Sequence, residues 1–258
     1  MQSTSFQAEA LQSLPRVTAD QMHRIIAKAV QVSEIPIHQM MERAGFAVNK
    51  IARCYSSKIF PRVAVLAGPG FTGSMAISTA RCMANAGAQI QLILTLPEAN
   101  LSAESAQQLK ILKGWYPEIP IHDMSKISAN NLPPMPDCDL IIDGLLGHGI
   151  QDAPRDPIAI LISIANDAEV PTISIDIPSG VHPDTGGPCS LALKATATVT
   201  FTLPKEGFTR ASAKPYLGEL YLVNIGVCPK IIESVLTSDP FPRNLPEILY
   251  LYDEMIRE

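Results

Sequence analysis

Asp143 and Asp176 each close an apolar run, and each is followed by a glycine-bearing turn: Asp143-Gly144-Leu145-Leu146-Gly147-His148-Gly149 and Asp176-Ile177-Pro178-Ser179-Gly180. Paired carboxylates of this kind can exchange protons, stabilise a developing cation or hold a metal ion. A third segment ends Leu203-Pro204-Lys205. A fourth runs from the β-branched stretch Val63-Ala64-Val65-Leu66-Ala67 into Gly68-Pro69-Gly70-Phe71-Thr72-Gly73-Ser74. That loop is a G-x-G-x-x-G pattern (Gly68, Gly70, Gly73), with Ser74 placed to cap the helix after it. Glycine lets backbone N–H groups approach an anion, and a helix N-terminus adds partial positive charge. The chain is therefore expected to bind a nucleotide.

These residues need elements to hold them. Thr18, with Asp20 in the first turn, starts a helical pattern through Met22, Ile25, Ile26, Ala29 and Val30. After a break near Ile35–Pro36, a second helix is expected from Ile37 to Tyr55, with its stripe at Met40, Met41, Ala44, Val48, Ile51 and Ala52. Strand and helix then alternate. Strands are predicted at Val63–Ala67, Gln89–Leu96, Ile119–His122, Asp139–Asp143, Thr172–Ile175, Ala195–Leu203 and Glu219–Asn224, and helices at Ser74–Ala86, Ala103–Trp115 and Pro157–Ala168. Such alternation implies βαβ units, an α/β fold and a mostly parallel sheet. In an open parallel sheet, ligands bind beyond the carboxyl ends of the strands. The two aspartates, Ser179, Lys205 and the glycine loop should thus meet at one edge.

The chain has 258 residues, 47% of them hydrophobic, which is enough for a full core and reads as one domain over 17–258. Residues 1–16 read as a disordered lead-in without the pattern of a secretory signal. The tail from about Pro229 reads as a peripheral wrap with a short terminal helix, and the prolines Pro133, Pro134, Pro136, Pro240, Pro242 and Pro246 mark loops. A net charge of −5 lacks the basic footprint of a nucleic-acid binder, and no apolar run is long enough for a membrane span. Five scattered cysteines without a C-x-x-C pair suit the reducing cytoplasm rather than zinc or thiol chemistry. His148, between two glycines, is open to two readings, a solvated loop residue or a catalytic one. His23, His38, His122 and His182 show no metal-ligand spacing and read as structural. A nicotinamide dehydrogenase would need an acid at the end of its second strand, and this chain has Thr95-Leu96-Pro97 before Glu98. A Walker loop is excluded, because no Gly-Lys-Ser/Thr follows the glycines.

The set Ala67-Gly68-Pro69-Gly70, Ile142-Asp143-Gly144-Leu145-Leu146-Gly147-His148-Gly149, Ser174-Ile175-Asp176-Ile177-Pro178-Ser179-Gly180 and Leu203-Pro204-Lys205 resembles the NAD(P)H-hydrate epimerases, the YjeF N-terminal domain family. Met40-Met41-Glu42-Arg43-Ala44-Gly45 resembles that family's first helices, which usually read M-E-N-A-G. The likeness covers about residues 17 to 228. It implies a three-layer Rossmann-like domain with two N-terminal helices, often a homodimer. The implied reaction interconverts the R and S epimers of NAD(P)H hydrated at C6 of the nicotinamide ring. No redox cofactor is involved, since the nucleotide is itself the substrate, and a separate dehydratase would finish the repair. The resemblance assigns Asp143 and Ser179 to a potassium ion, with Thr72 as a third ligand. Asp143 and Asp176 become the catalytic carboxylates, Asp176 also touching substrate. The loop Gly68, Gly70, Phe71, Thr72, Gly73, Ser74 and Met75, the turn Gly147, His148, Gly149, Ile150, Gln151, Asp152 and Ala153, and Lys205 would line the nucleotide. The family's loop usually continues N-N-G-G-D-G where this chain has Phe71-Thr72-Gly73-Ser74-Met75-Ala76. The alternative expectation is a catalytically impaired nucleotide-binding or protein-interaction module on the same fold.

Overall fold

A computed structural model describes residues 14–33, 36–127, 135–236 and 247–251. Two helices lead the chain, α1 (Ala19–Ser33) and α2 (Ile37–Ala52). The sequence of α1 starts with a capping box: Thr18 Oγ1 accepts from Gln21 N at 3.2 Å, and Gln21 Oε1 accepts from Thr18 N at 2.9 Å. Strand β1 (Arg62–Ala67) then enters α3 (Phe71–Asn85), and β2 (Gln89–Leu94) leads to α4 (Ala103–Trp115), capped by Ser102. The short β3 (Ile121–Asp123), β4 (Leu140–Gly144), α5 (Ile158–Asp167), β5 (Thr172–Ile175) and β6 (Ala197–Phe201) follow. The chain continues with a one-turn α6 (Lys214–Leu217), β7 (Glu219–Val223), α7 (Pro229–Leu236) and β8 (Ile248–Leu251).

The strands form one sheet of order β3-β2-β1-β4-β5-β6-β7-β8, parallel throughout except for β8, which pairs antiparallel with β7. Alternation along each strand divides the apolar residues between two faces. Val63, Val65 and Ala67 belong to one core with Leu140, Ile142 and the helices α2 and α3. Ala64 and Leu66 belong to the other, with Ile141 and with Leu161, Ile162 and Ala165 of α5. Both faces being covered gives the three layers, and it explains why the strands read as unbroken apolar runs.

The order reverses between β1 and β4, whose ends carry the glycine loop and Asp143. Gly68 N donates to Gly144 O at 3.0 Å across this point. Crevices at such a reversal are where open α/β sheets bind ligands.

Three details depart from the expectations. Helix α3 starts at Phe71 with Gly70 as its N-cap, so Ser74 lies inside the first turn and does not cap it. Leu14, placed in the lead-in, is buried in the core at 4% exposure. Val17 forms a bridge with Lys205, its N–H donating to Pro204 O at 3.1 Å. The segment after Pro229 supplies a helix packed on α1, with Ile231, Ile232 and Val235 inward, and an edge strand on the sheet. The terminal helix expected near the end, the rest of the lead-in, and the loop prolines Pro133, Pro134, Pro240, Pro242 and Pro246 lie outside the described residues.

Candidate active site

Asp143 is the next-to-last residue of β4, in register with Leu66 of β1 and Ser174 of β5. Its side chain is fully buried. Oδ1 accepts from Ser179 Oγ at 2.5 Å and Leu145 N at 3.2 Å; Oδ2 accepts from Ser174 Oγ at 2.7 Å and Ser179 N at 3.0 Å. All four partners are neutral. Burial therefore pushes the carboxyl up from its ordinary range, against the pull of the Ser179, Ser174 and Leu145 donors. Ser179 Oγ also accepts from Leu146 N at 2.8 Å, so this carboxylate ties the turns after β4 and β5 together.

Asp176 follows β5 in a left-handed conformation, φ +70°. A non-glycine residue there stores strain, and such strain collects at functional sites. The turn aims its carboxylate at Lys205 and His148. Lys205 Nζ donates to Oδ1 at 2.6 Å and to Thr200 Oγ1 at 3.0 Å, and His148 Nδ1 lies 2.8 Å from Oδ2. Burial opposes ionisation, but the Lys205 ammonium and the His148 ring overcome it and hold Asp176 well below the usual carboxylate range. Lys205 is itself wholly buried, its backbone held by the Val17 bridge.

A cavity of about 450 Å³ opens beside this group, between α1, the glycine loop and the start of α4. Ile26 and Val30 line it from α1, Gly70, Phe71 and Ser74 from the loop, and His148 from the far turn. A second cavity of about 400 Å³ follows the turn from Gly149 to Arg155. The two together suit a ligand with an apolar ring and a polar extension.

The expected site residues thus separate into groups. Gly70, Phe71, Ser74 and His148 face the first cavity, and Gly149, Ile150, Gln151, Asp152 and Ala153 face the second. Gly68 and Gly73 serve backbone packing: a Cβ on Gly68 would lie 1.7 Å from Leu145 O, and one on Gly73 2.0 Å from Gly68 O. Gly147 makes room for Thr72, whose Oγ1 would be 2.0 Å from a Cβ there. Met75 points into the core, at 2% exposure. Lys205, expected to touch substrate, is sealed behind Asp176. Neither Asp143 nor Asp176 is among the residues lining the cavity, with exposures of 0% and 3%. Of the groups on this proton-carrying network, the one a ligand meets is His148.

The reading of the sequence missed the contribution of α1. Met22, Ile25 and Ala29 form its core stripe, while Ile26 and Val30 are half-buried and turn to the cavity. An apolar face wider than one stripe was the available signal. His23, read as structural, stands at the cavity's edge, as does Glu104.

Residues 37–207 match the family described as YjeF-related protein N-terminus. The NAD(P)H-hydrate epimerase of Limosilactobacillus reuteri (strain DSM 20016) is 32% identical over 209 residues, covering 81% of this chain and 94% of the relative. The bifunctional NAD(P)H-hydrate repair enzyme Nnr of Thermosynechococcus vestitus is 29% identical over 230 residues, 88% of this chain. This chain spans only 43% of that relative's length. The crystal structure of yeast ynu0, YNL200c, superposes with a TM-score of 0.73 at 20% identity, over 92% of this chain and all of that one, which shows the shared fold.

Proposed function

Because the chain belongs to the YjeF-related protein N-terminus family, we propose that it interconverts the R and S epimers of hydrated NADH or NADPH. The observation that carries this reading is Asp176, locked ionised behind His148 at the end of an apolar cavity. Inverting the hydrated carbon requires its C–O bond to break with a proton supplied to the oxygen, leaving a cationic, iminium-like ring, and then water to add to the other face. A fixed negative charge beside the ring stabilises that cation without reorganising as it forms. The apolar wall of Ile26, Val30 and Phe71 suits the ring, and the second cavity, with Arg155 at its edge, suits the diphosphate. Phe71 and Met75, which replace residues of the family's usual loop, do not close the pocket: Phe71 forms wall and Met75 faces the core.

A potassium ion fits the other carboxylate. Asp143 is a buried carboxyl with only neutral partners, next to hydroxyls whose protons can rotate away, and a hard cation there would favour its ionised form. Asp143, Ser179 and Thr72 would hold it. Bound there, its charge would brace the turns that carry His148 and Asp176 and attract the diphosphate. Potassium chloride should then raise the unfolding temperature above that in choline chloride at equal ionic strength, and this difference should vanish in Asp143→Asn; equal temperatures for the wild type would remove the ion from the account.

The protein works in the cytoplasm, as its five free cysteines among the described residues suit, as a homodimer, and a dehydratase consumes its product. Among the described residues no helix is long and apolar enough to cross a membrane. The test is to mix the protein with separated epimers and follow their ratio by chromatography. Acceleration over the spontaneous rate supports the reading. A nucleotide that stabilises the fold without any exchange of epimers would support a binding module instead.

A further inference from the structure

The reaction needs a proton donor that touches the leaving oxygen, and both carboxylates are sealed from the cavity. We propose that His148 is the catalytic acid–base residue of this epimerisation, with Asp176 and Lys205 as the groups that position it. The inference rests on the epimerase reading given above and deepens it.

Four observations carry it. His148 lines the apolar cavity and is 19% exposed, so it is accessible to a ligand yet held by its surroundings. Its Nδ1 is tied to Asp176 Oδ2 at 2.8 Å. Asp176 is ionised through Lys205, and an ionised carboxylate only accepts, so Nδ1 carries its proton in both charge states of the ring. Among the described residues nothing hydrogen-bonds Nε2. The exchangeable proton is therefore at Nε2, the nitrogen left over for a substrate. This is the logic by which a buried carboxylate fixes the tautomer of a catalytic histidine in hydrolases of unrelated fold. The other titratable groups at the cavity are His23 of α1 and Glu104 of α4; among the described residues neither is held by a hydrogen bond or ion pair. Behind Asp176 stands Lys205, and Thr200 is hydrogen-bonded to both.

The step balances as follows. His148, as imidazolium, gives its Nε2 proton to the hydroxyl on C6 of the ring. The C6–O bond breaks, water leaves with the bonding pair, and the lone pair of the ring nitrogen forms the C=N bond of the iminium. A water molecule adds to the opposite face and releases its proton to solvent. His148 regains a proton through the open side of the cavity. In the reverse direction neutral Nε2 takes the proton from the water that adds on its own face. No oxidant or reductant enters.

The experiment compares wild type, His148→Ala and His148→Gln by chromatography of separated epimers from pH 5 to 9, with unfolding temperatures measured in parallel. His148→Ala should lower kcat at least about 100-fold, the lower range for loss of a general acid, with KM changed only a few-fold. Added imidazole should restore part of that rate in His148→Ala. The wild-type rate should vary with pH, as expected for an acid–base residue, and His148→Gln should remove that variation. A wild-type rate and profile in folded variants would overturn the inference. So would a lost rate that imidazole does not restore in a variant of lowered unfolding temperature, since that marks a structural role. A wild type without epimerase activity would bring down the functional reading itself, and is told apart by the wild-type arm alone.

Discussion

At the scale of residues, the glycine loop divides into positions that hold the backbone and a position that faces the ligand. A Cβ on Gly68 would lie 1.7 Å from a backbone oxygen, whereas nothing stands within 4 Å of one on Gly70. Gly70 has φ −93°, which any residue adopts. Gly68→Ala should therefore cost roughly 3 kcal/mol or more, and Gly70→Ala no more than about 0.5 kcal/mol, read from urea unfolding. Nucleotide affinity should change in the second variant while its stability does not. Equal stability losses would show that the loop's packing is misread. The two aspartates respond to pH with opposite signs. The carboxyl of Asp176 is depressed when folded, so its stabilisation is complete above the ordinary value of about 3.9 and is lost as pH falls through the folded value. Asp143 is raised, so its ionisation weakens the fold as pH rises from about 3.9 through its folded value. Asp176→Asn should thus flatten the loss of stability on acidification below about pH 4. A slope as steep as that of the wild type would mean that Asp176 is not held ionised by Lys205.

At the scale of elements, the sheet is closed by a strand that nothing in the sequence announced. Leu249 and Leu251 of β8 are buried against β7, at 2% and 4% exposure, while Tyr250 packs on Tyr221 with ring centroids 5.0 Å apart. Leu249→Ala should cost about 2–5 kcal/mol, as for other buried leucines; a change under about 0.5 kcal/mol, the size of an ordinary surface substitution, would show that β8 does not belong to the sheet. The other elements were far more legible. Runs such as Val63-Ala64-Val65-Leu66-Ala67 are buried on both faces and read as strands directly. Helix α4 and strand β5 have the bounds read from the sequence, Ala103–Trp115 and Thr172–Ile175. β8 escaped notice because four residues after a proline-rich stretch carry too little periodicity. The start of α3 escaped because Phe71-Thr72-Gly73 are weak helix formers, and its packing on α2 and α4 decides their conformation. Within the site, the strand-end residues were legible because topology gathers such ends at one edge. The pairing of His148 with Asp176 was not, since it depends on a left-handed turn at Asp176 that no residue type dictates.

At the scale of the whole molecule, two helices placed before the first strand turn a common sheet into a specific site. α1 covers the crevice between the glycine loop and His148 and supplies Ile26 and Val30. α7 packs on α1 from the outside, where Lys28 Nζ donates to Ser234 Oγ at 2.7 Å. Helix α7 is thereby tied to the helix that walls the cavity. The sheet presents the acid network from below, and α1 closes it from above with an apolar face. That division suits a reaction in which a ring becomes cationic next to a buried charge. The most direct test of this account is the rate at which the purified protein relaxes a single epimer of hydrated NADH or NADPH to the equilibrium mixture. The account predicts relaxation well above the spontaneous rate, and relaxation no faster than in buffer alone would contradict it.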